Sequence, residues 1–338
     1  MGSFQIEGGR KLKGELTPQG AKNEILQILC ATLLTPDKVE IENIPDIVDV
    51  NKLIDLLGSL GVKIQKKGIG HYIFQADEID LDYLTSKEFH AKGSSLRGSI
   101  MIVGPLLGRF GKGYIPKPGG DKIGRRRLDT HFIGFEKLGA TFSYDAKTHF
   151  YKAEAKKLKG TFMLLDEASV TGTANVIMAA VLAEGKTNIY NAACEPYIQQ
   201  LCKMMNAMGA KVSGIGSNLI TIEGVNEMHG CKHRVLPDMI EVGSFIGLAA
   251  MTQSEILLKN VGYEHLGMIP EVFKKLGIKI SDIAFPSGDT HVHIGNTMDE
   301  MAQYWKNMKN ALISNNCANA DKLEHILHPE IVSLMASN

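Results

Sequence analysis

The stretch Leu60-Gly61-Val62-Lys63-Ile64 has three close copies later in the chain, which begin at Leu138, Met208 and Leu276. The copies recur at intervals of about 70 to 80 residues, regular enough to indicate internal duplication. A glycine just past a helix suits the left-handed C-terminal cap, and the residues that follow it suit a strand. An amphipathic helical pattern precedes each copy, at residues 50–59, 130–137, 197–207 and 268–275.

The front of each repeat also recurs, as a short polar signature followed by an almost wholly apolar helical stretch. The signatures lie at residues 20–24, 93–97, 169–173 and 237–241, and the apolar stretches at 25–34, 98–107, 174–183 and 242–251. A helix that is apolar on every side is buried on every side. We therefore predict an α/β fold with sheets outside and helices packed inside.

The polar signatures then lie at the N-termini of buried helices, where free N–H groups and the helix dipole favour anions. Ordinary capping explains the Ser, Thr and Asn residues of the signatures. It does not explain Lys22 and Arg97, because a cation is unfavourable at the positive end of a helix. These two cations predict a bound anion.

Residues 117–131 read KPGGDKIGRRRLDTH and hold the densest charge in the chain, five cations and two carboxylates. The glycines favour a flexible loop. A flexible loop with a carboxylate among cations suits a lid that closes over an anionic substrate and gives it a proton. A basic surface loop without a catalytic role is the alternative interpretation.

Length and charge exclude several classes of protein. The chain has 338 residues, enough for two domains with sizeable cores. Its 37 Lys and Arg residues balance 37 Asp and Glu residues, so we expect no nucleic-acid partner. Five cysteines without a CxxC spacing favour reduced thiols. No apolar run reaches membrane-spanning length and no signal core is evident, so we expect a cytoplasmic protein without membrane insertion.

Three motifs together resemble the enolpyruvyl transferases: residues 20–24 (GAKNE), the loop at 117–131, and residues 234–241 (RVLPDMIE). Within this family, the resemblance is to the branch that acts on UDP-N-acetylglucosamine, and it covers roughly residues 3–281. It implies an inside-out α/β barrel arrangement of repeated β/α units. The family has two domains of three units each, and the middle domain is inserted between parts of the first.

The resemblance implies transfer of the enolpyruvyl group from phosphoenolpyruvate to the 3′-hydroxyl of UDP-N-acetylglucosamine, with release of phosphate, as in peptidoglycan synthesis. Lys22 and Arg126, helped by Arg97, would hold phosphoenolpyruvate, and Asn23 would contact the sugar nucleotide. No cofactor is implied, because Lys and Arg supply the charge stabilisation. The segments that would line the uridine and diphosphate contain Arg126, Arg127, Leu128, Asp129, Thr130, Ser169, Val170 and Thr171.

Asp121 occupies the position that is commonly a cysteine in this family. The resemblance implies that Asp121 is the general acid that protonates the methylene carbon of phosphoenolpyruvate. Desolvation on loop closure favours the protonated carboxyl and the neighbouring arginines favour the carboxylate, so the sequence leaves its protonation state open. Because a carboxylate is a poorer nucleophile than a thiolate, we expect resistance to fosfomycin, the epoxide antibiotic that targets the cysteine.

The chain departs from the family in three places. Glu167 stands where a lysine is usual, and Tyr197 stands where a glutamate is common. After Ile280 we find no motifs of the last two repeat units, which carry the proposed base and several arginines. Helical patterns at 299–314 and 320–328 appear instead. His291, His293, His325 and His328 are interpreted as exposed strand and helix residues, so no metal site is predicted.

These observations predict three segments. They are a first domain of residues 1–20 and 237–281 that is incomplete with one repeat unit, an inserted domain of three units at 21–236, and a divergent helical tail at 282–338. The incomplete domain would expose core surface, which the tail or a partner must cover, so self-association through it is expected.

Two alternatives within the fold family carry less support. The enzyme acting on shikimate 3-phosphate resembles Gly-Ser-Lys-Ser at the first signature and lacks the loop. RNA 3′-terminal phosphate cyclases share the repeated unit, but no catalytic His signature or ATP loop is found. A third hypothesis, from another class, is a truncated homologue that binds a sugar nucleotide or a partner without turnover.

Overall fold

The computed structural model describes residues 3–119, 127–146, 148–284 and 290–295. The chain divides into two compact units. The inserted unit is Gln19–Asp238, and the terminal unit consists of Met1–Pro18 together with the chain from Met239 onward. Among the described residues, no helix is long and apolar enough to cross a membrane.

A helix–strand–helix–strand–strand order recurs along the chain, which begins with β1 (Lys13–Leu16) of the terminal unit. The first repeat of the inserted unit contains α1 (Lys22–Ala31), β2 (Lys38–Glu42), α2 (Val48–Ser59), β3 (Lys63–Gly68) and β4 (His71–Gln75). The second contains α3 (Lys87–Ser94), α4 (Val103–Phe110), β5 (Lys112–Pro116), α5 (Asp129–Lys137), β6 (Thr141–Asp145) and β7 (Phe150–Glu154).

The third repeat completes the inserted unit. It contains β8 (Phe162–Leu164), α6 (Val170–Ala180), β9 (Lys186–Tyr190), α7 (Pro196–Ala207), β10 (Lys211–Ser213) and β11 (Leu219–Glu223), and β12 (Lys232–Arg234) follows. The terminal unit then adds α8 (Met239–Met251), β13 (Glu255–Leu258), α9 (Ile269–Lys275), β14 (Lys279–Ala284) and β15 (Thr290–Gly295). Short 3₁₀ turns lie at Thr32–Leu34, Asp82–Thr85, Arg97–Ile102 and Tyr263–His265.

The four sheets share one topology. In each, the last strand of the repeat lies between the other two, in the orders β12-β2-β4-β3, β5-β7-β6, β8-β9-β11-β10 and β1-β13-β15-β14. Apart from β8, which opens the third repeat, the strands of a repeat pair with one another in antiparallel fashion. β8, β12 and β1 each add to the edge of a sheet as a parallel strand. The common topology supports internal duplication.

The glycine caps predicted from the sequence are confirmed. Gly61, Gly139, Gly209 and Gly277 have φ values of 106°, 92°, 98° and 86°, in the left-handed region that glycine adopts without a steric penalty. In each cap, the N–H of the next residue donates to the carbonyl five residues before it, as from Val62 to Leu57. This is the Schellman arrangement, which turns each amphipathic helix into the following strand.

The predicted burial of the apolar helices is confirmed in the inserted unit, where α1, α4 and α6 form the core and the sheets lie outside them. One helix begins later than its pattern predicts. Residues 97–102 form a 3₁₀ turn, and α4 starts at Val103. Pro105 explains the difference, because proline lacks an N–H and clashes with the preceding turn unless it lies in the first turn of a helix.

The strand predicted at His291 and His293 is confirmed as β15 (Thr290–Gly295), and β14 continues to Ala284, so the described part of the tail predicted from residue 282 forms strands and not helices. β15 pairs with both β13 and β14, and its apolar residues Val292 and Ile294 are buried in the core of the terminal unit. Burial of alternate residues favours a strand here. The rest of the predicted tail lies outside the described residues.

Candidate active site

The N-terminus of α1 carries Lys22 and Asn23. Ala21 precedes the helix and has no side chain that can cap it, but the carboxylate of Asp238 accepts the backbone N–H of Lys22 at 3.0 Å. The Nζ atom of Lys22 lies 2.6 Å from Oδ2 of Asp49, and 46% of the lysine side chain is exposed. A half-exposed ammonium of this kind can exchange a carboxylate partner for the anion of a substrate.

A buried carboxylate ties the same helix to the end of β12. Glu24 is fully buried, and its Oε1 lies 2.9 Å from Nε2 of His233. The backbone N–H of Leu236 also donates to both oxygens of Glu24, at 3.3 Å. Burial raises the pKa of Glu24, and the contacts with His233 and Leu236 lower it by a smaller amount. The buried contacts hold the first turn of α1 against the chain after β12.

Tyr197, one of the departures from the family pattern, begins α7 close to this region. Burial raises the pKa of Tyr197 to about 12, the negative charge of Asp238 adds to the effect, and Asn23 has a weaker opposite effect. The phenol of Tyr197 is therefore neutral at physiological pH.

A second group of charged side chains surrounds the start of α5. An Nη2–H of Arg97 donates to the backbone oxygen of Arg127 at 3.3 Å, and Nε–H of Arg127 donates to Oδ2 of Asp129 at 2.6 Å. The bond to Asp129 raises the pKa of the Arg127 guanidinium. Leu128 lies between the two charged residues, immediately before the helix. This group places two guanidinium groups at one helix N-terminus.

The N-terminus of α6 lies against the same group. Thr130 is buried, and its hydroxyl donates to Oδ1 of Asp166 at 2.7 Å. Ser169 caps α6 by accepting the N–H of Gly172 at 3.2 Å, and Val170 is the first residue of the helix. The two helices approach so closely that a Cβ at Gly134 of α5 would overlap the Val176 side chain of α6.

A buried polar chain runs between these two helices. His131, in α5, is 2% exposed, and its Nδ1 lies 3.0 Å from Nδ2 of Asn175 in α6. Its Nε2 lies 3.3 Å from the hydroxyl of Thr171. Burial lowers the pKa of His131 to about 3, and the nearby charge of Arg97 contributes in the same direction. The imidazole is therefore neutral at physiological pH.

The structure thus forms two groups from the predicted site residues. Lys22 and Asn23 lie at the start of α1, whereas a second group at the starts of α5 and α6 contains Arg97, Arg127, Leu128, Asp129, Thr130, Ser169, Val170 and Thr171. The 3₁₀ turn that starts at Arg97 packs against both α1 and α6. Asp121 and Arg126 lie outside the described residues.

The sequence analysis assigned no role to several residues that hold these groups in place, namely Glu24, Asp49, His131, Asp166, Asn175, His233 and Asp238. Asn175 gives the clearest sequence signal, because it is an amide within an otherwise apolar helical stretch. The partners of the others lie far away in the chain, as the 209 residues between Glu24 and His233 show. Sequence spacing carries no signal for such pairs.

One group of possible metal ligands lies away from the candidate site. Glu40, Glu42 and His71 offer donor atoms within 4.8 Å of one another on the sheet of the first repeat. Lys232 already pairs with both carboxylates, at 3.1 and 2.6 Å. Hydrogen bonds from Lys232 lower the pKa of Glu40 and of Glu42. The lysine ammonium therefore takes the place that a cation would fill.

Comparison with known proteins adds evidence from sequence. The model of the EPSP synthase family (3-phosphoshikimate 1-carboxyvinyltransferase) matches residues 6–310. A UDP-N-acetylglucosamine 1-carboxyvinyltransferase of Bacteroides fragilis is 65% identical over 295 residues, which are 86% of this chain and 68% of that protein. The protein of the same name from Porphyromonas gingivalis is 58% identical over 302 residues, 88% of this chain and 70% of that protein.

Solved structures show the same fold at low identity. The enolpyruvyl transferase NikO from Streptomyces tendae has a TM-score of 0.73 and 17% identity, over 86% of this chain and 67% of that one. An EPSP synthase from Acinetobacter baumannii has a TM-score of 0.64 and 18% identity, over 85% of this chain and 65% of that one. The chain thus spans about two thirds of the length of these proteins. The family match extends past residue 281, where the resemblance was expected to end.

Proposed function

This chain belongs to the family of EPSP synthase (3-phosphoshikimate 1-carboxyvinyltransferase), and is thus a transferase by family, and we propose that it acts on UDP-N-acetylglucosamine. The enolpyruvyl group would pass from phosphoenolpyruvate to the 3′-hydroxyl of the sugar, and inorganic phosphate would leave. The names of the similar proteins from Bacteroides fragilis and Porphyromonas gingivalis support this substrate. The product would serve peptidoglycan synthesis.

The observation that carries the proposal is the placing of cations at helix N-termini. Lys22 lies at the start of α1, Arg97 starts a 3₁₀ turn, and Arg127 lies just before α5. Cations at the positive ends of helices need an anion nearby. Asp49 and Asp129 pair with Lys22 and Arg127 in the structure, and an anionic substrate would replace these carboxylates. Phosphoenolpyruvate and the diphosphate of the sugar nucleotide are such anions. Lys22, Asn23, Arg97 and Arg126 would serve the first substrate and the sugar, and the group at α5 and α6 would serve the nucleotide.

In the proposed reaction, the 3′-hydroxyl gives up its proton to water as its oxygen adds to C2 of phosphoenolpyruvate, and Asp121 gives its proton to the methylene carbon. The bond from C2 to the phosphate oxygen then breaks, and the methyl group returns a proton to the Asp121 carboxylate as the enolpyruvyl double bond forms. Lys22 and the arginines would stabilise the charge on the phosphate and the carboxylate, so the reaction requires no metal and no organic cofactor. Both substrates are cytoplasmic metabolites, and the proposal includes a cytoplasmic location.

The proposal also includes resistance to fosfomycin. The drug alkylates a thiolate at the position that Asp121 occupies here, and a carboxylate opens an epoxide much more slowly. Cys194 is an exposed thiol among the described cysteines, but it lies at the start of the segment before α7 and not at that position.

A second candidate function is binding of a sugar nucleotide or of a partner without turnover. The apolar surface of the terminal unit supports self-association, since Ile240, Leu248 and Met251 of α8 are all exposed. In that case a second copy could cover this apolar face of α8.

The first experiment is phosphate release by the purified chain with both substrates, with and without fosfomycin. Asp121→Asn tests the general acid, and Asp82→Asn, at a surface position in the same unit, is the matched control. We expect turnover that fosfomycin leaves unchanged, that Asp82→Asn retains and that Asp121→Asn loses. Calorimetric binding of UDP-N-acetylglucosamine without phosphate release would support the second function. Failure to bind the nucleotide would refute the transfer reaction and would leave only the binding of a partner.

A further inference from the structure

The buried chain Asn175–His131–Thr171 fixes the direction of every hydrogen bond in it. Oδ1 of Asn175 accepts the backbone N–H of Gly104 at 2.7 Å. An N–H donates only to the oxygen of a side-chain amide, so this bond settles which side of the Asn175 amide carries nitrogen. Nδ2 of Asn175 then faces the backbone oxygen of Ile100 at 2.9 Å and Nδ1 of His131 at 3.0 Å.

The nitrogen of an amide is a donor and never an acceptor. Nδ1 of His131 must therefore accept from Asn175 and carries no proton. The ring is neutral at physiological pH, because burial and the charge of Arg97 oppose its protonation. A neutral imidazole with a bare Nδ1 holds its single proton on Nε2. Nε2 is the atom that lies 3.3 Å from Oγ1 of Thr171, so the imidazole donates and the hydroxyl accepts.

This assignment makes the Thr171 hydroxyl a hydrogen-bond donor. Its oxygen accepts the hydrogen of His131, so its own hydrogen is available for another acceptor. Thr171 is exposed and is the second residue of α6, so no earlier turn of this helix offers its hydroxyl a carbonyl oxygen. Ser169, in contrast, accepts the N–H of Gly172 as the helix cap. Thr171 is thus oriented as a donor toward a ligand at the surface.

We propose that Asn175 and His131 are positioning residues that orient the Thr171 hydroxyl as a hydrogen-bond donor to an oxygen of the nucleotide diphosphate. This inference rests on the proposed function, because Thr171 belongs to the segment assigned to the sugar nucleotide. Arg97 and Arg127 lie beside the same segment and complement the negative charge of a diphosphate. Thr171 would then select for ligands with an acceptor oxygen, and His131 would act through Thr171 without touching the ligand.

The test uses the full chain with UDP as the probe. Thr171→Val removes the donor at constant shape, Thr171→Ser keeps it, and Thr85→Val, at an exposed threonine elsewhere in the unit, is the matched control. Loss of a hydrogen bond to a charged oxygen should raise the Kd of UDP about tenfold to a hundredfold in Thr171→Val. We expect Thr171→Ser and Thr85→Val to stay within about threefold of the wild type. Uridine, which lacks the diphosphate, should bind wild type and Thr171→Val equally.

The variant Asn175→Asp tests the direction of the hydrogen bonds from Asn175 through His131 to Thr171. An ionised aspartate cannot donate to Nδ1 of His131. If the ring stays neutral beside it, the ring proton should move to Nδ1, and Nε2 should become an acceptor. The Thr171 hydroxyl would then turn inward, and UDP binding should fall as in Thr171→Val. The double variant Asn175→Asp with Thr171→Val should bind UDP no more weakly than Asn175→Asp alone. The ¹⁵N shifts of the His131 ring report the tautomer directly and need no ligand, provided that circular dichroism shows an intact fold.

Each outcome decides a different question. If the wild type binds UDP and Thr171→Val binds it equally well, the inference is wrong and the proposed function stands. A ring proton on Nδ1 in the wild type would also overturn the inference. If the wild type binds neither UDP nor UDP-N-acetylglucosamine, the proposed function and the inference both fail. A loss of uridine affinity equal to the loss of UDP affinity would assign Thr171 to the base and contradict its contact with the diphosphate.

Discussion

Helices α6 and α8 occupy the same place in two repeats, yet they differ in how much of their surface is buried. Both are apolar around their whole circumference, and both follow a polar signature. In α6, nine of the 11 residues are buried, whereas in α8 four of the 13 residues are buried. The difference does not arise from local sequence pattern, since that pattern predicts burial for both.

The neighbours of each helix explain the difference. In the inserted unit, α6 packs against α1, α4, α5 and α7, which come from all three repeats. Within the terminal unit, the described part of the chain packs α8 mainly against α9, β13 and β15 of its own repeat. Ile240, Leu248 and Met251 of α8 consequently remain 55%, 38% and 48% exposed. One repeat can therefore form its sheet and its caps, but burial of its apolar helix requires other repeats.

The first prediction measures this contrast with one substitution in each helix. Ile177→Ala in α6 removes a fully buried side chain and should lower the free energy of unfolding by roughly 2 to 5 kcal/mol. Ile240→Ala in α8 removes a side chain that is already half exposed, so the loss should be below about 1 kcal/mol. Urea denaturation of both variants provides the values. Equal losses would mean that α8 is as well packed in solution as α6.

Two glycines sharpen the comparison, because the same substitution should have opposite signs. A Cβ at Gly104 of α4 would overlap the backbone of Asn175 in α6, so Gly104→Ala should destabilise the protein by about 1 to 3 kcal/mol. Nothing lies within 4 Å of a Cβ at Gly247 of α8. Gly247→Ala should therefore stabilise it by about 0.5 to 1 kcal/mol, because alanine favours a helix. Thermal unfolding of the two variants gives the sign, and destabilisation by Gly247→Ala would indicate a close neighbour at α8.

Because His131 is buried between α5 and α6, the free energy of unfolding should depend on pH. The pKa of His131 is lowered from 6.5 to about 3, so the unfolded chain binds more protons than the folded chain between these values. The stabilisation is complete above pH 6.5 and is lost as the pH falls toward 3. The free energy of unfolding should decrease by up to about 1.4 kcal/mol per pH unit in this range.

The control for this effect is His131→Gln, which cannot titrate in the range. Its overall stability is expected to be lower, but the pH dependence due to position 131 should be absent. The measurement is urea denaturation between pH 7 and pH 4.5, and the quantity of interest is the difference in slope between the two proteins. Parallel curves would show that the imidazole is not held neutral in the folded state.

The smallest effect on stability is expected on the exposed face of α8. Met251→Lys should change the free energy of unfolding by no more than about 0.5 kcal/mol, because the side chain is half exposed. If the apolar face mediates self-association, the same substitution should shift the protein toward the monomer. Analytical ultracentrifugation across a range of concentrations measures the monomer fraction. The control is Lys112→Met on strand β5 of the inserted unit, which makes the opposite exchange, lysine to methionine, away from α8. An unchanged distribution of species would exclude this face as the contact.

Much of the fold was predictable from sequence, since its signals are local. The four Gly caps, the amphipathic helices before them and the apolar helices at 25–34 and 174–183 each depend on residues within one turn or one repeat. The start of α4 was predicted too early because the effect of Pro105 was not considered. The strand at His291 and His293 was predicted correctly, but it was assigned to a divergent tail outside the repeats, since the absence of later motifs was taken as the end of the repeat pattern.

For the candidate site too, local features were predictable from sequence and contacts between distant residues were not. The sequence by itself determined the repeat, its caps, its apolar helices and the polar signatures, because backbone conformation and side-chain periodicity are set by neighbours along the chain. Only the tertiary structure decided that Glu24 meets His233, that Asp238 caps α1, and that Asn175, His131 and Thr171 form one hydrogen-bonded chain. Only the tertiary structure decided, too, that α6 is buried and α8 is not. These features depend on which distant segments pack together, and a buried polar group is paired by whatever partner the packing brings within reach.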